Sequence, residues 1–177
     1  KKSKPNILFI MTDQQGFGAL SATGCRHLET PALDRLCARG TRFTQSYSSN
    51  PLCSPARSTM LTSRTSCEAG VWTNGRAIHR SCPHMGQWLA SQGGYEPVYA
   101  GKWHLPGSFT HNIPGFNVLT AGVSGQGNLG DTSTSRACEA FLKNRSSSTP
   151  FAMVASFFQP HDICQWLRLN ITDPKAI

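Results

Sequence analysis

Short apolar runs recur along an otherwise mixed chain, and their lengths set the first expectations. Residues 7–11 (Ile-Leu-Phe-Ile-Met) and 151–158 (Phe-Ala-Met-Val-Ala-Ser-Phe-Phe) are nearly unbroken by polar positions, and 97–101 is a briefer run of the same kind. Such runs predict strands buried on both faces of a parallel sheet, over residues 6–12, 97–101 and 151–158. Segment 41–47 reads as a further extended piece. Apolar positions spaced at three and four predict helices over 30–39, 54–62, 85–91 and 134–143, the first ending at Gly40, a residue suited to a helix C-terminus. Alternating strands and helices point to an α/β fold, a largely parallel sheet flanked by helices. Residues 106–132, rich in Gly, Ser and Asn, read as loops over a pocket rim where substrate selection would lie.

Chemistry-bearing residues fall where these elements begin and end. Asp13 closes the first strand, and a carboxylate there faces the crevice in which α/β folds bind ligands. His161 follows the last strand. Lys102 and His104 follow the 97–101 strand, and alternation along Lys102-Trp103-His104 would turn both to one side. Cys53-Ser54-Pro55-Ala56-Arg57 opens a helix with proline just inside its start, so backbone N–H groups and a guanidinium are expected to converge on an anion there. Each residue has a plain structural alternative: a buried thiol, a capping aspartate, a surface lysine, a packed histidine.

Taken together, the blocks Pro5-Asn6-Ile7-Leu8-Phe9-Ile10-Met11-Thr12-Asp13-Gln14-Gln15, Cys53-x-Pro55-x-Arg57, Gly101-Lys102-Trp103-His104 and Pro160-His161-Asp162 stand in the order of the type I sulfatases, and the chain resembles that family from about residue 4 to about residue 166. The resemblance implies an alkaline-phosphatase-like fold, here the first part of a catalytic domain over 1–177 with the remainder absent. It implies that Cys53 is oxidised to formylglycine by a maturase. The hydrated aldehyde, a geminal diol, attacks sulfur with one hydroxyl and expels sulfate through the other. Asp13, Gln14 and the oxygen on residue 53 would bind a divalent metal, calcium as a rule, since oxygen ligands suit a hard cation. Arg57 would hold the diol and the metal-side carboxylates, Lys102 a sulfate oxygen, His104 the diol, and His161 the ester oxygen of the departing alcohol. Asp162 would orient His161 or cap the next turn.

The family pattern is not matched everywhere. Gln14 stands where many members have aspartate, Ala56 where many have serine, and Ser63 where glycine is usual. The later acidic block that completes the metal site has no counterpart after Asp162, so the isolated piece is expected to lack activity. A phosphate or phosphonate monoester hydrolase of the same superfamily, or a non-catalytic binder of sulfated ligands, remains an alternative.

The 17 Lys and Arg against 9 Asp and Glu give a formal charge of +8, which suits an anionic partner such as a sulfated small molecule or glycan. The basic residues are scattered without interleaved aromatics, which argues against nucleic acid. No run is long enough to span a bilayer. Seven cysteines, six if Cys53 is converted, are many for a cytosolic enzyme and leave room for disulfides. They point, with the family, to a periplasmic, secreted or lysosomal-type compartment, the leader not being part of this chain. Asn144-Arg145-Ser146 and Asn170-Ile171-Thr172 match the glycosylation pattern.

Overall fold

The computed structural model describes residues 4–106, 113–121 and 130–172. Strands β1 (Ile7–Asp13), β2 (Glu96–Gly101), β3 (Asn117–Ala121) and β4 (Phe151–Pro160) form one sheet in the order β1-β4-β2-β3, with every pairing parallel. Helices α1 (Pro31–Arg39), α2 (Cys53–Thr62), α3 (Met85–Trp88, continued by a wider turn over Leu89–Gly93), α4 (Gly130–Asn144) and α5 (Ile163–Thr172) connect and flank it. The α/β expectation holds, and three predicted strands and four predicted helices form within a few residues of their expected limits.

The two-residue period of the central strands builds two cores. Tyr99 and Val154 face one side and pack with Leu61 of α2, Val71, Trp103 and Phe116. Val98, Ala100, Met153 and Ala155 face the other, where Cys138 and Phe141 of α4 cover them. Each large side chain so buried contributes about 1.5 to 3 kcal/mol, enough to fix the register that lines up the strands' C-terminal ends. Gly101 has φ +94, and a Cβ there would lie 2.0 Å from the Ser156 carbonyl oxygen, so only glycine lets β2 and β4 approach this closely.

Several expectations are corrected. Segment 41–47 forms no strand; Phe43 and Tyr47 are exposed, so it has no core to pair over. Within the supposed loop region 106–132, residues 117–121 pair with β2 as β3, and α4 begins at Gly130; residues 107–112 and 122–129 lie outside the described part. Helix α5 was not foreseen. Among the described residues β1 pairs with β4 alone, and Ile7, Leu8, Phe9 and Ile10 are 40–49% exposed where the apolar run predicts burial on both faces. Gly40 ends α1 in extended rather than left-handed backbone. Ser63, by contrast, takes the left-handed φ of 54 at the end of α2, the conformation for which glycine is the unstrained choice. All seven cysteines are free thiols.

Candidate active site

The C-terminal ends of β1, β2 and β4 meet the N-terminus of α2 around a cavity of about 640 Å³. Asp13, Gln14, Cys53, Arg57, His104 and His161 all line it. Lys102 reaches the same centre from below: its Nζ lies 2.5 Å from Asp13 Oδ2 and 4.3 Å from the centre of the Phe158 ring. Every residue singled out from the sequence as catalytic or metal-binding is therefore at one place.

Asp13 is the electrostatic hub. Its Oδ2 accepts from Arg57 Nη2 at 2.9 Å and pairs with Lys102, while Oδ1 faces the Cys53 thiol at 3.9 Å. Burial alone would raise its pKa, but the two cations outweigh it, and the carboxyl is held below its usual 3.8. The Cys53 thiol moves the opposite way. Burial and then the Asp13 charge raise its pKa, against the pull of Lys102 and Arg57, so little thiolate exists at neutral pH.

Arg57 and Lys102 are held by a shared backbone group. The carbonyl oxygen of Lys102 accepts from Arg57 Nη1 at 2.6 Å, Ser156 Oγ at 2.6 Å and Tyr99 Oη at 2.7 Å, and Arg57 Nη1 also donates to Ser156 Oγ at 3.0 Å. Ser156 and Tyr99, fully buried on β4 and β2, thus tie the guanidinium to the sheet. Neither was flagged in the sequence; a polar residue within an apolar strand was the signal available at Ser156.

The expectation about Lys102 and His104 is right in outcome and wrong in cause. β2 ends at Gly101, and His104 enters the cavity through a left-handed backbone (φ 59), not through strand alternation. Its carbonyl accepts from Ser54 Oγ at 2.5 Å, fastening the turn to α2. Burial first, then Lys102 and Arg57, lower the His104 pKa to about 4, so the imidazole is neutral near pH 7. The Nδ1 atoms of His104 and His161 are buried without a hydrogen-bond partner. The His161 ring packs 4.9 Å from that of Phe158.

The α2 N-terminus does not present the row of free amides expected from the sequence. Ser54 N donates to Asn74 Oδ1 at 2.9 Å, Pro55 has no N–H, and Ala56 N bonds Leu52 O. The first amide, Cys53 N, is directed at its own thiol, so an anion beside residue 53 would meet that one N–H and the side-chain cations. Asn74, which lines the cavity and was missed in the sequence, comes from a loop with no pattern of its own. Asp162 Oδ2 accepts from Gln159 Nε2, within the turn that leads into α5.

For a metal, the ligand atoms of Asp13, Cys53 and His161 lie within 4.8 Å of one another. Asp13 lines the cavity, and its Oδ1 contacts the Cys53 thiol and neither cation. Gln14, at φ 61, also lines it, although its Oε1 accepts from the Cys164 thiol at 3.4 Å. These donors fit a hard cation in kind; in number they supply one side of a site that takes about six to eight oxygens.

A family model described as Sulfatase matches residues 5–167. The chain is 32% identical to the N-acetylglucosamine-6-O-sulfatase of Bacteroides thetaiotaomicron over 174 residues, 89% of this chain and 31% of that protein. It is 39% identical to the N-acetylgalactosamine-6-sulfatase of Sus scrofa over 113 residues, 57% of this chain and 22% of that protein. It therefore spans a fifth to a third of the length of these curated relatives. Among solved structures, one determined in complex with its substrate D-glucosamine-2-N,6-O-disulfate superposes with a TM-score of 0.78 at 29% identity, covering 90% of this chain and 35% of that one.

Proposed function

The chain belongs to the sulfatase family, and from that premise we propose that the natural full-length protein hydrolyses sulfate monoesters on a carbohydrate, with Cys53 converted to formylglycine. The observation that carries this reading is the convergence of Cys53, Asp13, Arg57, Lys102, His104 and His161 on one cavity. The raised thiol pKa supports it too, because an unconverted Cys53 would be a poor nucleophile at neutral pH.

A hydrated aldehyde at position 53 would supply a nucleophilic oxygen and a second hydroxyl through which the bound sulfate is released. The chain's own groups prepare for that chemistry. Lys102 and Arg57 place two buried positive charges where negative charge accumulates on the sulfuryl oxygens, and the dry surroundings strengthen their effect. His104, neutral at working pH, accepts or donates a hydrogen bond to the group on residue 53. His161, held by Phe158, can pass a proton to the departing alcohol. Asp13 and Gln14 would hold a divalent cation, calcium by its preference for oxygen ligands, and that ion would act as a Lewis acid on the sulfate.

The carbohydrate preference rests on the two amino-sugar sulfatases among the relatives, on the neighbour's disulfated glucosamine and on the net positive charge. A maturase that acts on the Cys53 segment is the implied protein partner. A periplasmic, secreted or lysosomal-type compartment is the implied location, and among the described residues no helix is long and apolar enough to cross a membrane.

Mass spectrometry of the tryptic peptide spanning residues 43–57, from natural full-length protein produced with a maturase, tests the reading directly. The thiol should be replaced by an aldehyde that hydrazine reagents tag, and Cys53→Ala should abolish hydrolysis of glucosamine 6-O-sulfate. A retained thiol with no turnover would favour a protein that only binds sulfated ligands. Faster cleavage of aryl phosphate or phosphonate than of any sulfate ester would favour the other superfamily reaction.

A further inference from the structure

The loop that delivers Asn74 carries a second feature that the hydrolytic centre does not use. Its base is fixed: Ala69 and Val71 are fully buried, and His79 N donates to Ala69 O at 2.9 Å. Gly70 (φ +78) lies so close to the His79 ring that a Cβ would clash with it at 2.5 Å. The tip is pinned as well, because Asn74 Oδ1 caps the Ser54 amide at the start of α2 and Gly75 (φ +83) closes the turn. Between these anchors Trp72 and Arg76 flank Asn74. The Arg76 guanidinium carbon sits 3.8 Å from the centre of the Trp72 ring, yet Trp72 remains 51% exposed. Among the described residues Arg76 has no carboxylate partner, so its charge and donor fork are uncommitted.

The chain immediately beyond this tip lines a different hollow. Ala77, Ile78, Arg80, His84 and Trp103 bound a cavity of about 360 Å³, while Asn74 and His104 face the reaction cavity. The 72–76 tip is thus a ridge of chain whose Asn74 lines the reaction cavity and whose continuation from Ala77 lines the second hollow, where Arg80 supplies a further arginine.

We infer that the Trp72–Arg76 ridge is a binding subsite for the part of the substrate beyond the scissile ester, and that it selects saccharides with a second anionic group. The inference deepens the hydrolytic reading and rests on it for the placement of the ester. A pyranose ring presents a face of C–H bonds that packs on an exposed indole, and a planar guanidinium takes a sulfate or carboxylate in two parallel hydrogen bonds. Stacking on Trp72 pre-orders that fork, so little side-chain freedom is lost when an anion arrives. Because Asn74 links the ridge to the residue after Cys53, the ridge and the reactive position keep a fixed spacing.

Calorimetric titration of the natural full-length protein carrying Cys53→Ala, which cannot turn substrate over, separates this subsite from the chemistry. The probes are glucosamine 2-N,6-O-disulfate and glucosamine 6-O-sulfate. Arg76→Gln is expected to weaken binding of the disulfate about tenfold more than that of the monosulfate, the scale of one charge-assisted hydrogen-bonded contact. Trp72→Ala should weaken both sugars, and Trp72→Phe should restore most of the loss by keeping a ring. Equal loss on both sugars with Arg76→Gln, no loss with either, or failure of both sugars to bind overturns the inference. If the selectivity is present but protein with Cys53 intact and matured hydrolyses no sulfate ester, the hydrolytic reading fails while the subsite stands. If hydrolysis occurs and the selectivity is absent, the subsite alone fails.

Discussion

Replacing Asp13 with asparagine removes the one carboxylate that two buried cations share. Asp13, Arg57 and Lys102 are 8%, 4% and 3% exposed, with the pairs at 2.9 and 2.5 Å. At an effective dielectric of about 20, unit charges separated by 2.9 Å attract by about 6 kcal/mol, and desolvation of the ions offsets part of that. Losing one partner of a buried pair costs about 3 to 5 kcal/mol because the other charge stays buried and unpaired. Asp13→Asn should therefore destabilise the natural full-length protein by that amount at pH 7, read by urea unfolding in chelator so that metal binding does not contribute. The pH dependence follows from the depressed carboxyl pKa. The native carboxylate binds its proton less readily than the unfolded one, so its stabilisation is whole above about 3.8 and is lost as pH falls through the lower native value. The gap between wild type and variant should be flat from pH 7 to about pH 5 and close below about pH 4. Adding Lys102→Met to Asp13→Asn should recover stability by removing one stranded cation. A gap below about 1 kcal/mol at neutral pH, or one that widens toward acid, would refute the ion-triad account.

His104 should titrate near pH 4 by NMR in the natural protein; a midpoint near 6.5 would show that burial and the two cations do not act on it as described. Because that pKa lies below its unfolded value of 6.5, the ring costs stability as pH falls from about 6.5 toward 4, and His104→Gln should flatten this part of the unfolding profile. Gly101→Ala should yield little soluble protein or a loss of several kcal/mol, since the added methyl group meets the Ser156 carbonyl. Ser156→Ala should cost only about 1 kcal/mol in denaturant unfolding, because Lys102 O keeps two other donors.

The parallel sheet and most helices were legible because buried strands leave unbroken apolar runs and flanking helices leave a period near four. β3 escaped because Asn117-Val118-Leu119-Thr120-Ala121 is short and sits among Gly- and Ser-rich segments whose composition reads as loop. α5 escaped because it has no acidic residue in its first turn and no basic residue in its last, so neither end is marked by charge in the sequence. Site residues were found through strand ends and motif order, which are local in sequence. Asn74, Ser156 and Tyr99 were missed because their roles depend on partners 20 or more residues away, or on a carbonyl that sequence pattern does not show. Of the amides at the start of α2, that of Ser54 is taken for the same reason, since Asn74 comes from a distant loop.

Three hydroxyl or guanidinium donors compete for the lone pairs of one carbonyl, that of Lys102. Such redundancy makes the cradle tolerant of drift. Either hydroxyl can be lost while the remaining donors close in, so loss of the Tyr99 or the Ser156 hydroxyl can accumulate singly across descendants, whereas the two losses together should be far worse than their sum. The order in which these positions change, and not only which of them change, then decides whether a lineage keeps its guanidinium aimed.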